Sequence, residues 1–214
     1  MEYNKLSYIF RQYSCSYIVK LVYWAMRSKL ISINARLIRF PFDIRGKQYI
    51  DLGNRLTTGV GCRLEAYAKS GDNTTKIIFG NNVQINDYVH IVAMKQVFLG
   101  DNVLIASHVY ISDNSHGCYK GCSDDTPPVT PPMKRPYFIS PIKIGSNVWI
   151  GEGVIIMPGV TIGDGVVIGA HSIVNSDIPA NCIAVGAPAR IIKKYDFSKE
   201  TWCRTDVVGN FLDK

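Results

Sequence analysis

The chain has 214 residues, of which 47% are hydrophobic, and its formal net charge is +7. This length and composition predict a globular protein with a buried core. The longest apolar stretch near the N-terminus, "YIVKLVYWAM", is interrupted by Lys20, is too short to cross a bilayer and lacks the cleavage site of a secretory signal. We therefore expect a cytoplasmic protein whose six cysteines are reduced.

The positive charge lies in one segment. Residues 1–47 hold nine Lys and Arg against two acidic residues, whereas basic and acidic residues balance in the rest of the chain. Within this segment, apolar residues recur at helical spacing among tyrosines and Trp24. The pattern predicts a basic amphipathic helix that either caps the core or binds an anionic membrane surface. No nucleic-acid-binding module is recognisable in the sequence, so nucleic acid is not an expected partner.

Beyond residue 50 the sequence repeats with a period of six. An aliphatic residue recurs without a gap at Ile144, Ile150, Ile156, Ile162, Ile168 and Val174. Six is a multiple of the two-residue period of a strand and not of the 3.6-residue period of a helix, so the repeats are predicted to be short strands. The Gly, Asn and Asp residues between them favour a turn after each strand.

The spacing of the insertions predicts a three-sided coil. Upstream, the same register appears in three sets of three: Leu52, Thr58 and Leu64; Phe79, Ile85 and Ile91; Leu99, Ile105 and Ile111. The steps between sets are 15, 8 and 33 residues instead of six, so every insertion leaves from the same corner. We therefore predict an all-β fold, a parallel β-helix of about five triangular coils from Leu52 to Val174.

The largest insertion, residues 112–143, is predicted to be an excursion loop with a function. Its prolines disfavour both helix and central strand, and loops of this length in compact domains are typically functional or disordered. The stretch "SDNSHG" places His116 as the last residue of the third coil before this loop. An imidazole at the foot of a stiffened loop is a candidate for acid–base chemistry.

Three stretches resemble the hexapeptide-repeat acyltransferases, a family of left-handed parallel β-helices: "SDNSHG", "IKIGSNVWIGEGVIIMPGVTIGDGVVIGAHSIV" and "DIPANCIAVGAPARIIKK". The resemblance covers about residues 50–195 and is closest to O-acetyltransferases of bacterial lipopolysaccharide and capsular polysaccharide and to galactoside and maltose O-acetyltransferases. It implies transfer of an acetyl group from acetyl-coenzyme A to a sugar hydroxyl of a cell-surface polysaccharide or its lipid-linked precursor. It also implies a homotrimer with its sites between subunits.

The predicted site contains eight residues, most of them assigned by the resemblance. It implies that His116 is the general base for the acceptor hydroxyl and that the side-chain amide of Asn86 holds this hydroxyl. Asp113 is included with the acceptor-binding residues, where it orients the imidazole or caps a turn. The residues implied for coenzyme binding are Trp149, Gly151, Ala170, Arg190 and Lys193, of which the two cations lie near the nucleotide phosphates.

Two departures from the family pattern affect the two substrates. Asn175-Ser176 replaces a Thr-Lys pair after the last strand, so a phosphate contact is missing or comes from Lys194. Ala93 and Met94 replace acidic residues of the galactoside enzymes, which argues against a small galactoside or maltose acceptor.

Other functions remain open from the sequence. They are transfer to the amine of a nucleotide-linked amino sugar, transfer to an antibiotic hydroxyl, and a non-catalytic trimeric scaffold. Cys118 and Cys122 beside His116 lack a fourth ligand, so no metal is expected. The predicted divisions are a basic helical segment (1–47), the β-helix (48–178) and a coenzyme-binding tail (179–214), in a protein that is cytoplasmic or peripheral to the inner membrane face.

Overall fold

The computed structural model describes residues 11–212, which form one α-helix, two 3₁₀ helices and 21 strands. The α-helix, α1, covers Cys15–Ile31, and the 3₁₀ helices cover Lys47–Tyr49 and Pro132–Lys134. No helix in this part of the chain is long and apolar enough to cross a membrane. The strands, in chain order, are β1 (Phe42–Arg45), β2 (Ile50–Asp51), β3 (Thr57–Thr58), β4 (Cys62–Ala66), β5 (Ile77–Phe79), β6 (Gln84–Ile85), β7 (His90–Ala93), β8 (Val97–Leu99), β9 (Leu104–Ile105), β10 (Tyr110–Ser112), β11 (Asn114–His116), β12 (Tyr137–Ile139), β13 (Ile142–Ile144), β14 (Trp149–Ile150), β15 (Ile155–Ile156), β16 (Thr161–Ile162), β17 (Val167–Ile168), β18 (Ile173–Val174), β19 (Cys182–Val185), β20 (Arg190–Asp196) and β21 (Thr201–Arg204).

Short parallel strands form the three faces of a prism. The first face contains β2, β5, β8, β13 and β16; the second contains β3, β6, β9, β14 and β17; the third contains β1, β4, β7, β10, β15 and β18. Each complete coil contributes one strand to each face, and all insertions between coils leave from the corner between the third and first faces. The predicted parallel β-helix with five complete coils is confirmed.

Three columns of stacked side chains run through the core inside the prism, with buried valines such as Val83 and Val103 beside them. Every predicted inward residue, from Leu52 to Val174, is at most 6% exposed. On the third face, Leu64, Ile91 and Ile111 occupy the same register position in successive coils. Burying one such side chain stabilises a fold by roughly 1.5–3 kcal/mol, so the columns are the main source of stability.

An asparagine ladder forms the corner between the first and second faces. Asn82, Asn102 and Asn147 have φ values of 55°, 56° and 57°, a left-handed conformation that Asn tolerates better than most residues. Asn82 Nδ2 donates to Asn102 Oδ1 at 3.4 Å, and Asn102 Nδ2 donates to Asn147 Oδ1 at 3.2 Å. The side chains that permit the turns therefore also link successive coils.

The prism extends further in both directions than predicted. Strand β1 lies inside the segment predicted to be helical, residues 1–47, and pairs with β4, while Leu37 bridges to Thr57. Strand β19 lies inside the predicted tail, residues 179–214, and pairs in parallel with β17. The two partial coils contain too few repeats to show the six-residue period, so the predicted boundaries were wrong at both ends.

Helix α1 covers the N-terminal end of the prism through Ser28. The Ile38 N–H donates to Ser28 Oγ at 2.7 Å, and the Ser28 hydroxyl donates to the Trp24 carbonyl oxygen at 2.6 Å. Leu37 already pairs with the first coil, and because alternate residues of a strand direct their N–H groups to opposite sides, the Ile38 N–H points out of the end of the prism. Ser28 thus substitutes for the next coil, which supports the capping alternative for this segment.

We predict that Ser28→Ala lowers the free energy of unfolding by about 1–3 kcal/mol, because the buried Ile38 N–H loses its acceptor. Urea unfolding followed by circular dichroism measures the loss. Ser16→Ala, an exposed serine on the same helix, is the control and should change stability by less than about 0.5 kcal/mol. Equal midpoints for both variants would contradict the capping role of Ser28.

Candidate active site

His116 lies on an antiparallel hairpin instead of on a coil strand. The third coil ends at Ser112, and β11 then pairs antiparallel with β12, so that His116 lies opposite Tyr137. The prediction that His116 is the last residue of the third coil is therefore wrong, whereas its position at the foot of the excursion loop is correct. The hairpin supplies the backbone hydrogen bonds that a coil strand obtains from neighbouring coils.

The imidazole of His116 is exposed and packs on an aromatic ring. Its centroid lies 4.7 Å from that of the Tyr137 ring, with an angle of 45° between the ring planes. No side chain of residues 11–212 forms a hydrogen bond with the imidazole of His116. Within the described residues neither ring nitrogen has a side-chain partner, and the contact with Tyr137 limits the orientations of the ring.

Arg135 and Tyr119 fix the backbone of His116. Tyr119 Oη donates to the His116 carbonyl oxygen at 2.6 Å, and Arg135 Nη1 donates to Tyr119 Oη at 2.7 Å. Arg135 also donates to the carbonyl oxygens of Thr130 and Pro128, at 2.8 and 3.2 Å. One guanidinium group thus ties the proline-rich segment to the strand that carries the imidazole. No motif in the sequence marks these two residues, because their role depends on the conformation of the loop.

Asp113 anchors the base of the loop. Its carboxylate accepts the backbone N–H groups of residues 94–96 at 2.6–2.8 Å and Asn114 Nδ2 at 3.1 Å, and the residue is fully buried. A carboxylate that is fully buried and accepts four hydrogen bonds has no surface left to contact the acceptor substrate. The predicted acceptor-binding role of Asp113 is therefore corrected to the capping of the turn between β7 and β8.

A cavity of about 660 Å³ opens beside the hairpin. Its wall includes Tyr67, Lys69, Thr75, Met94, Lys95 and Ile139. Cross-strand partners in a hairpin point to the same side, as do alternate residues of one strand. Ile139, two residues after Tyr137, therefore belongs to the side of the hairpin that carries His116, while His116 itself lies outside the cavity wall.

The wall of the cavity carries excess positive charge. The ammonium group of buried Lys76 forms an ion pair with Asp72 and, with hydrogen bonds from Thr74, lowers the pKa of the Asp72 carboxyl. Lys69 and Lys95 are exposed, and neither has an ion-pair partner within the described part of the chain. The two free ammonium groups make the cavity suitable for a ligand with an anionic group.

A charged cluster on the third face adjoins this cavity. Glu65, only 7% exposed, pairs with Arg45 at 2.9 Å and Arg63 at 3.2 Å, and accepts a hydrogen bond from Tyr67 Oη at 3.0 Å. Burial, together with the neighbouring Arg63 charge, lowers the pKa of His90. The cluster orients Tyr67 at the edge of the cavity through the hydrogen bond to Glu65.

Two of the predicted coenzyme-binding residues lie in one row across the second face. Trp149 pairs with Val167, Val167 with Ile183, and Ile183 with Lys193 on the adjoining strand β20. Strands about 4.8 Å apart place Trp149 and Lys193 roughly 14 Å from each other. The exposed indole and the ammonium group thus mark the ends of a track suited to an extended, anionic ligand.

Gly151 and Ala170 meet at the corner between the second and third faces, next to Trp149. A Cβ atom at position 151 would lie 2.6 Å from the Ala170 backbone nitrogen, a distance that real Cβ atoms essentially never show. Only glycine therefore permits this close approach of the two coils, and the small Ala170 side chain leaves the corner open. The predicted role of these two residues in coenzyme binding stays a prediction.

Arg190 lines a neighbouring groove at the C-terminal end of the prism. The groove has a volume of about 550 Å³, and its wall includes Asn175, Ser176, Val207 and Val208. Asn175-Ser176, the dipeptide that departs from the family pattern, therefore lines the same groove as Arg190, the predicted phosphate-binding residue. Arg190 is connected to the other predicted coenzyme-binding residues by β20, on which it lies three residues before Lys193.

Asn86 lies apart from His116 in the single chain. It follows β6 at the corner between the second and third faces, where its amide oxygen accepts Gln84 Nε2 at 3.2 Å. His116 leaves the third face at the opposite edge, after β10. Asn86 and His116, which are predicted to hold and to deprotonate the acceptor hydroxyl, therefore lie at different edges of one chain.

The excursion loop also brings Cys118, Cys122 and Asp125 together, with ligand atoms within 4.8 Å of one another. The Asp125 carboxylate already accepts the N–H groups of Lys120 and Gly121, each at 2.8 Å. Three groups, one of them engaged, fall short of the four ligands of a structural zinc site. The absence of a functional metal stays a prediction.

Comparison with known proteins defines the class of this protein. Residues 141–176 match the family model of bacterial transferase hexapeptide repeats. A candidate lipopolysaccharide biosynthesis O-acetyl transferase of Escherichia coli strain K12, WbbJ, is 41% identical over 90% of this chain and 95% of its own. Galactoside acetyltransferase in complex with coenzyme A superimposes with a TM-score of 0.53 at 28% identity, over 98% of this chain and 86% of that chain. AntD, an N-acyltransferase from Bacillus cereus, superimposes with a TM-score of 0.64 over 81% of this chain and 90% of its own, but at 23% identity it shows only the shared fold.

The chain belongs to the hexapeptide-repeat acyltransferase family. Its fold is the left-handed parallel β-helix of that family, as the resemblance implied. The predictions of an acetyltransferase and of acetyl-coenzyme A as cosubstrate are likewise confirmed. The non-catalytic scaffold predicted as an alternative is set aside.

We predict that Tyr119→Phe lowers kcat by about tenfold to a hundredfold and leaves the KM for acetyl-coenzyme A unchanged, because the backbone of His116 loses a tether and its imidazole is misplaced. Initial rates of thiol release, with thermal unfolding in parallel, measure both effects. Tyr13→Phe, an exposed tyrosine in the bend before the distant helix α1, is the matched control. A KM increase of the same size as the kcat decrease would contradict a positioning role.

Proposed function

We propose that the protein transfers the acetyl group of acetyl-coenzyme A to a hydroxyl of a sugar in a cell-surface polysaccharide or its lipid-linked precursor. The observation that carries this proposal is the exposed imidazole of His116 on the hairpin whose other strand supplies Ile139 to the cavity wall. The similarity over 90% of this chain to the candidate lipopolysaccharide biosynthesis O-acetyl transferase supports this class of acceptor.

The residues act as follows. The acyl donor supplies a thioester carbonyl. His116 accepts the proton of the acceptor hydroxyl as the oxygen attacks this carbonyl; the new C–O bond forms, the C–S bond breaks, and the imidazolium returns the proton to the leaving thiolate. An imidazole suits both transfers because its ordinary pKa lies near neutrality. Tyr137 holds the ring in place by packing.

The donor lies along the second face in this proposal. Trp149 packs on the pantetheine arm, the corner of Gly151 and Ala170 accommodates its narrow chain, and Lys193 and Arg190 bind phosphates. Charge-assisted contacts with phosphates are among the strong ones. The register row from Trp149 to Lys193 supports this direction of binding.

The acceptor lies in the cavity beside the hairpin. Ala93 is buried and Met94 lines the cavity, so the acidic residues of the galactoside enzymes have no counterpart at these positions. Lys69 and Lys95 supply positive charge instead. These side chains favour an acceptor with a phosphate or carboxylate, such as a sugar linked to a lipid through a diphosphate.

The enzyme works as a homotrimer whose sites combine residues of neighbouring chains. Asn86 and His116 lie at opposite edges of the third face of one chain, so a site that contains both requires a second chain. Closed cyclic assemblies with a repeated interface are common among soluble oligomers. We place this trimer in the cytoplasm, in agreement with the six free cysteines of the chain.

The first test is thiol release from acetyl-coenzyme A with neutral, acidic, lipid-linked and amino sugars. His116→Ala should lower kcat by roughly 10²–10⁴-fold, the usual contribution of a general base. His108→Asn is the control, because His108 is exposed with φ of 59° and Asn tolerates this conformation. Full activity of His116→Ala would remove this residue from the mechanism, and a preference for amino sugars would indicate N-acyl transfer.

A complementation experiment tests the shared site. We predict that Asn86→Ala and His116→Ala are each inactive and that their subunits, unfolded and refolded together in equal amounts, recover about a quarter of wild-type activity, since random pairing restores one interface in four. The same mixture without refolding is the control. If the refolded mixture stays inactive, both residues act within one chain.

A further inference from the structure

The outward face of helix α1 is apolar. The residues opposite the buried Trp24 and Ser28 are Val19, Val22, Met26 and Leu30, and their exposed fractions are 69%, 55%, 62% and 82%. They recur at spacings of three and four residues and therefore form one continuous stripe along the helix. A surface helix normally presents polar residues to solvent, so an exposed apolar stripe marks a contact with something else.

The stripe faces away from the body of the protein. The opposite side of the helix binds the end of the prism, because Ser28 takes the N–H of Ile38 that points out of the terminal coil. The stripe is thus presented at one extremity of the prism, where a flat surface can reach it without touching the cavity.

The surrounding charge identifies the partner. Residues 3–42 contain seven Lys and Arg and no acidic residue. Lys20 is exposed on the same helix. Arg27 and Lys29 are held near its C-terminal end, Arg27 over the Phe40 ring at 3.9 Å and Lys29 through the Ile33 and Ala35 carbonyl oxygens at 2.8 Å. A second copy docked through the same helix would bring like charges together, whereas an anionic surface complements them.

We propose that α1 binds an anionic lipid bilayer, with the Val19, Val22, Met26 and Leu30 stripe inserted at the boundary of head groups and acyl chains. Amphipathic helices bind in this way when apolar burial and attraction to anionic lipids act together. The helix therefore has two functions that the sequence left as alternatives: its inner side caps the prism and its outer side contacts the membrane. The proposal does not depend on the identity of the acceptor.

Docking of α1 on a bilayer fixes the distance between the membrane surface and the active site. The loop with His116 leaves the third coil, roughly 14 Å along the prism from the partial coil that α1 covers. The cavity is then held close to the head groups, within reach of a sugar linked to a lipid, and donor molecules approach from the water along the second face.

Vesicle flotation of the full-length protein tests the proposal. The wild type should bind vesicles of phosphatidylcholine with phosphatidylglycerol at least tenfold more strongly than vesicles of phosphatidylcholine alone, and less strongly as salt rises. The double variant Met26→Glu/Leu30→Glu should lose this binding. Val129→Glu is the control, because Val129 is 88% exposed and apolar but lies in the excursion loop. Lys20→Gln should weaken anionic binding roughly fivefold and leave neutral binding unchanged.

Three results would overturn the proposal. They are the absence of wild-type binding at low salt, equal binding to both kinds of vesicle, and a fall in oligomer mass of the double variant in light scattering, which would make the stripe a subunit contact. Acetylation of a water-soluble acceptor should be the same in the wild type and the double variant. If neither the wild type nor the double variant acetylates such an acceptor, the result counts against the proposed function and not against membrane binding.

Discussion

Contact between equivalent side chains in successive coils is the interaction on which the rest of this structure depends. Many coil strands are only two residues long, and a strand of that length has no stability of its own. Each gains it because the inward residue of one coil, such as Ile105, rests on Ile85 below and Ile150 above. The inward positions must therefore be apolar or, as at Thr58, carry a hydroxyl that is hydrogen-bonded within the prism, and the sequence varies more freely at the corners and on the outside.

The corner between the third and first faces carries the irregular insertions. The segments 67–76, 94–96 and 113–141 all leave the prism between the third and first faces, so they meet although they are distant in sequence. Asp113 joins two of them through the backbone of 94–96. The cavity forms between these segments, and the rigid columns behind them hold its walls in place. Such a division between a periodic scaffold and irregular functional loops is typical of repeat proteins.

Periodicity explains which parts could be predicted from the sequence. Each residue of the three columns was identified correctly, because the period of six reports directly on which side chains face inward. The resemblance to the family pointed to His116 and to Trp149, but it did not reveal the hairpin. The hairpin, the role of Asp113 and the tether from Arg135 arise from contacts between segments without a repeat. At the ends the period breaks off, and Ser28 is a polar residue at a buried position, which a hydrophobic pattern cannot indicate.

The closed ends have a consequence for assembly and for evolution. A stack of parallel coils exposes a row of unpaired N–H and C=O groups at each end, and identical chains that joined end to end there would grow into a fibre. Ser28 and α1 block one end, and at the other end the antiparallel strands β20 and β21 cover the edge of β19, the last parallel strand of the second face. Because the ends and not the repeats stop growth, a whole coil can be added or removed between them without exposing a new edge, and the height of such a protein can change while its terminal caps stay the same.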